Sequence, residues 1–117
     1  MSAHSFSTLD VARGVSMMGS EASLRKILKT VQDSLAGNLP EMAQALEKGD
    51  VASFNRLLHA IKGYVPIFAC DALVAQVTAL EKISKTEPVA TVAPLYVELA
   101  PLMDALLAEI RQFVAEI

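Results

Sequence analysis

The chain has 117 residues, enough for one domain around a single core, and it is 53% apolar with a net charge of −3. Its ten basic residues never form a run, which argues against a nucleic-acid partner, since phosphate contacts need a concentrated basic face. Cys70 is the single cysteine, so an internal disulfide is excluded and a reducing, cytoplasmic compartment is expected.

With no tryptophan, four Phe and two Tyr, the core must be mostly aliphatic. Leu, Ala, Val, Met, Glu and Lys dominate and period-2 alternation is scarce, a composition that favours helices. No apolar run reaches the roughly 18 residues of a membrane span, so no membrane is expected. The opening MSAHSFST is polar and lacks the charged and apolar regions of a signal peptide.

Residues 1–7 read as a flexible tail and residues 8–117 as one helical domain. Thr8 or Asp10 can cap a short helix through Met17, which Gly19-Ser20 breaks. A second helix starts near Ser20 or Glu21, with Leu24, Leu28, Val31 and Leu35 at helical spacing and Ile27 widening the stripe. Gly37 to Pro40 predicts a kink or short break before Met42, Ala45 and Leu46 resume the pattern as far as Gly49.

Asp50 is a good N-cap for the third helix, whose apolar stripe is Phe54, Leu58, Ile61, Val65 and Phe68. A fourth helix runs from about Asp71 to Lys85 with Leu73, Val77 and Leu80 inward, and TEPVA forms a connection. The last helix, from about Val92, would bury Leu95, Leu99, Leu102, Leu106, Ile110 and Phe113. Pro94 would fit its first turn, and Pro101 would bend it. Such stripes bury one another in an all-α, up-down four-helix bundle, with the short N-terminal helix covering one end or edge.

One residue does not serve that core. The stripe of the third helix clusters within roughly ±40° of one direction, and His59 lies roughly 140° away from it. Gly63 follows one turn later on the same side, although glycine inside a helix costs about 1 kcal/mol relative to alanine. Helix stability does not account for it. Lys62 also falls on this side, where an ammonium would stabilise negative charge arriving on the imidazole, as a phosphoryl group would bring.

Other chemistries lack their residues. The remaining histidine, His4, is in the tail, and no Cys, His and carboxylate cluster has metal-ligand spacing. No serine is placed against His59 with an orienting acid, and no glycine-rich phosphate loop occurs.

His59-Ala60-Ile61-Lys62-Gly63 resembles the central motif of the histidine-containing phosphotransfer (HPt) domain family, a histidine followed by any residue, an aliphatic, Lys and Gly. The similarity extends outward to ALEKGD and VASFNRLLH upstream and to Leu73, fourteen residues after the histidine. It also takes in the pair Leu80-Glu81 and the opening LDVARGVSMMG, so it covers about residues 9 to 115. Two positions depart. The family commonly has glycine ten residues after the histidine, here Ala69, and a small residue seven after it, here Pro66. Pro66 removes the N–H that would bond the carbonyl of Lys62, which predicts a kink or an earlier end to the third helix.

The resemblance implies a phosphoryl carrier with no kinase or phosphatase site of its own and no cofactor. It would be a monomer relaying phosphoryl groups between receiver-domain aspartates, with magnesium held by the partner receiver. His59 would be the phosphoacceptor through Nε2, Lys62 would neutralise phosphoryl charge, and Gly63 would leave space for the incoming acidic site. Glu81 stands where some relatives place a polar side chain against the histidine. It would either accept a hydrogen bond from the other ring nitrogen or be a solvated carboxylate near a helix end.

Asn55, Arg56, Gln76 and Lys82 form a polar face that would contact the receiver or simply be solvated. Leu57, Tyr64 and Ile67 would supply an apolar patch or widen the core contact, with Tyr64 the favoured interface residue. Two other readings stay open: a helical module that binds a signalling partner without chemistry, and the phosphoacceptor domain of a chemotaxis-type kinase. Met1 favours a free-standing protein, although an excised domain of a hybrid kinase would look the same.

Overall fold

The computed structural model describes residues 6–116; positions 1–5, with most of the expected tail and His4, and residue 117 lie outside the described residues. Five helices follow in order: α1 Val11–Met18, α2 Glu21–Glu47, α3 Val51–Phe68, α4 Asp71–Ile83 and α5 Val89–Ala115. Three starts are set by side-chain caps. Asp10 accepts from the Arg13 N–H at 3.0 Å, Ser20 from Ser23 at 3.1 Å and Asp50 from Ser53 at 3.0 Å. Between α1 and α2, Gly19 takes φ 90°, a conformation that glycine adopts without strain.

Helix α2 packs against α3 and α5, α3 against α4, and α4 against α5, while α1 lies on α2 and α3. The molecule measures 47 × 22 × 20 Å. That length fits the two 27-residue helices α2 and α5, each of about 40 Å at 1.5 Å per residue. The third-helix stripe of Phe54, Leu58, Ile61, Val65 and Phe68 is fully buried. Each such side chain contributes about 1.5–3 kcal/mol by leaving water.

That burial explains why the prolines do not break the helices. Of the expected kink or short break, the break does not occur: helix α2 runs unbroken through Gly37 and Pro40, because Leu24, Leu28, Val31, Leu35, Leu39, Met42 and Ala45 are buried on both sides of them. Their summed burial exceeds the roughly 3 kcal/mol an internal proline costs. Helix α3 likewise continues past Pro66 to Phe68 rather than ending early, since Val65 and Phe68 flank the proline inside the core. Ala69 has φ −95° and ψ 156°, open to any residue, so the glycine common at this position is not needed.

Two boundaries differ from the sequence reading. Helix α4 ends at Ile83, before Lys85. Helix α5 begins at Val89, so Pro94 lies beyond the first turn. The inward face of α5 is correspondingly rotated. Val92, Tyr96, Met103 and Leu107 join Leu99, Leu106, Ile110 and Phe113 in the core, while Leu95 and Leu102 are only half-buried. By length and composition alone α5 would pass as a membrane-crossing helix, with mean hydropathy 1.4 over 18 residues, although acidic residues such as Glu98, Asp104 and Glu109 interrupt its apolar run. In the bundle its buried stripe packs on other helices.

The segment before α1 is anchored from its second described residue. The Glu109 carboxylate accepts from the backbone N–H groups of Ser7, Thr8 and Leu9 and from the Ser7 and Thr8 hydroxyls, at 2.8–3.2 Å. Leu9 also forms an antiparallel bridge with Ala69. Phe6 packs against the core, so the expected tail is already ordered at residues 6 and 7.

Candidate functional site: a histidine over a buried carboxylate

Asn55, His59 and Lys62 share one side of α3, spaced four and three residues apart, and this side meets the last turn of α4. The His59 side chain is 65% exposed, on the side of α3 away from its buried stripe. Its Nδ1 lies 3.4 Å from Oε2 of Glu81. Gly63 is exposed, and a methyl group built on it would meet nothing within 4 Å.

Glu81 is not a solvated carboxylate. It is 1% exposed, and an isolated buried carboxylate would be very costly. Its neighbours remove most of that cost. Lys62 Nζ donates to Oε1 at 2.9 Å, Asn55 Nδ2 lies 3.3 Å from Oε2, and Lys85 Nζ is 3.5 Å from the same oxygen. The Lys62 hydrogen bond, helped by Asn55 and the charges of Lys62 and Lys85, outweighs desolvation and holds the Glu81 carboxyl down to about 2. The group is therefore anionic at neutral pH.

Asn55 also donates to the Glu81 carbonyl and to Ser84 Oγ, both at 2.9 Å, and the buried Ser84 hydroxyl donates to that same carbonyl at 3.0 Å. The end of α4 is thereby joined to α3 one turn before His59. Asn55, expected on a docking face, is half-buried and turned into this network.

Of the predicted site residues, His59, Lys62, Glu81 and Asn55 converge, and Gly63 adjoins them. Arg56 is exposed and donates to Ser53 Oγ at 3.0 Å. Gln76 lies apart, lining a groove between α4 and α5 with Ala79, Leu80, Ile83, Leu95 and Glu98. Tyr64 turns its polar end inward. Its ring stacks on Phe68 with centroids 6.0 Å apart, its hydroxyl is buried without a hydrogen-bond partner among the described residues, and burial pushes it up to about 12.

Ser84 and Lys85 were missed. Their spacing of three and four residues from Glu81 was the available signal, because side chains so spaced meet on one helix face.

The Hpt domain family profile matches residues 26–113, well over half of the chain. The protein belongs to the Hpt domain family. Members of this family are phosphotransfer modules of two-component signalling, phosphocarriers rather than kinases or phosphatases, and they work with receiver domains. No match was found among curated proteins or among solved structures. The Hpt match spans α3 and α4 entirely, and with them every residue of the Glu81 network.

Proposed function

We propose that this protein relays a phosphoryl group between receiver-domain aspartates through a phosphohistidine at His59, carried on an up-down four-helix bundle. The observation that carries this reading is the exposed imidazole of His59, with Nδ1 over the buried carboxylate of Glu81. A carboxylate beside Nδ1 favours the proton there, which leaves the lone pair on Nε2.

In the forward step that lone pair attacks the phosphorus of an aspartyl phosphate on the receiver. The N–P bond forms, the P–O bond to aspartate breaks, and its electrons return to the receiver carboxylate. The proton on Nδ1 stays in place, and the Glu81 carboxylate stabilises the positive charge the ring acquires. Magnesium is expected on the receiver, with no cofactor in this chain. Lys62 and Lys85, both paired with Glu81, bring positive charge to this site that would favour the arriving phosphoryl oxygens. Gly63 leaves the helix surface beside the ring bare, so a partner backbone can approach.

Incubation with a phosphorylated receiver tests the reading. The expected product is acid-labile, base-stable phosphate on this chain, with loss of phosphate from the receiver. Receiver binding without any transfer would favour a purely structural interaction module.

A further inference from the structure

The Glu81 carboxylate has unequal oxygens. Oε1 is held by the short bond from Lys62, at 2.9 Å. Oε2 is shared by three longer contacts, Asn55 Nδ2 at 3.3 Å, His59 Nδ1 at 3.4 Å and Lys85 Nζ at 3.5 Å. Of these three partners Asn55 is the half-buried, uncharged one, pinned by the Glu81 carbonyl and by Ser84. Lys85 is 54% exposed on a long flexible arm, and its full charge competes with the imidazole for the same oxygen.

We propose that Asn55 is a positioning residue for the phosphoacceptor: its amide holds Oε2 of Glu81 against Nδ1 of His59, and so keeps the ring proton on Nδ1 and Nε2 free. Two features of the geometry support this. The amide belongs to α3, as the histidine does, so Asn55 and His59 keep a fixed spacing of one turn whatever α4 does. The same amide, its two N–H groups shared among three acceptors, also donates to the backbone carbonyl of Glu81, so it ties the origin of that side chain as well as its tip. Without it, Oε2 is free to turn toward Lys85, and the imidazole loses the acceptor that selects its tautomer. The kinetic consequence rests on His59 being the phosphoacceptor; the effect on the ring does not.

The test reads the two apart. The ring nitrogens of His59 are observed by 15N NMR at a pH where the imidazole is neutral, with the signals assigned by their absence in His59→Gln. Phosphoryl uptake from a phosphorylated receiver is timed in parallel. Wild type should carry the proton on Nδ1. Asn55→Ala should shift the population toward the Nε2–H form and slow uptake about tenfold, the low end of what losing an outer partner that orients a histidine costs. Asn55→Ser guards against a folding failure, since it keeps a small polar side chain at this half-buried position but is too short to hold the carboxylate. It should show the same shift.

An unchanged tautomer in either folded variant would overturn the proposal and leave Asn55 as a tie between α3 and α4. A shifted tautomer with an unchanged uptake rate would overturn it equally. A shifted tautomer in a protein whose wild type takes up no phosphate would uphold the positioning of the ring and remove the phosphorelay reading instead.

Discussion

Lys62 is bonded to Glu81: its ammonium donates to Oε1 at 2.9 Å, and the carboxylate it meets is 1% exposed. The lysine one turn from the histidine therefore has a structural task in the resting protein. Lys62→Ala leaves a buried carboxylate with a weaker set of partners. Removing one member of a buried pair costs about 3–5 kcal/mol, and because Lys62 is 35% exposed and Lys85 stays nearby, about 1–2 kcal/mol is expected here. Chemical denaturation should show this loss, and phosphoryl uptake should slow as well. Unchanged stability would mean that Lys85 replaces Lys62 fully.

His59→Gln separates chemistry from fold. The ring is 65% exposed and takes no part in the core, so stability should change by no more than about 0.5 kcal/mol. An amide nitrogen, its lone pair delocalised into the carbonyl, is no nucleophile toward phosphorus, and phosphoryl uptake should vanish. Parallel melting and phosphate incorporation check both halves. Retained incorporation would place the acceptor elsewhere.

Gly63→Ala should act in opposite directions on the two properties. A methyl group at this position meets nothing within 4 Å, so the chain itself gains from the better helix former by up to about 1 kcal/mol. The same methyl stands beside His59 where the partner must approach, and uptake from a receiver should slow. A higher melting temperature with slower transfer is the expected pair of results. Equal transfer would show that the bare surface is not used in docking.

Acid should expose the role of Glu81. Its carboxyl sits at about 2 in the folded protein against an ordinary value of 4.5. A folded-state value below the unfolded one means stability that is present above about 4.5 and is lost as pH falls toward 2. Glu81→Gln keeps the shape and removes the titration. The stability difference between wild type and this variant should therefore shrink across that acid window. A difference independent of pH would mean that Glu81 is not held anionic by its neighbours.

How much of this was legible beforehand follows from the range over which each signal acts. Helix identity, the buried face of α3 and the outward histidine all depend on residues within one helix. A period near 3.6 and local caps such as Asp50 carry that information directly along the chain. The motif from His59 to Gly63 is likewise local, so the family was readable from it and from the matches around it.

The carboxylate network depends on distance in space rather than in sequence. Asn55 and Glu81 are 26 residues apart, and whether the asparagine faces a partner or the end of α4 is set by the register of α3 against α4. No pattern within either helix encodes that register. The tolerance of Pro40 and Pro66 has the same origin, because the sequence states the local cost of each proline, whereas only the packed core supplies the burial that exceeds it. The anchoring of Ser7 to Leu9 on Glu109, about a hundred residues away, is the extreme case. A polar segment reads as a loose tail until the fold brings to it a carboxylate able to accept its free N–H groups.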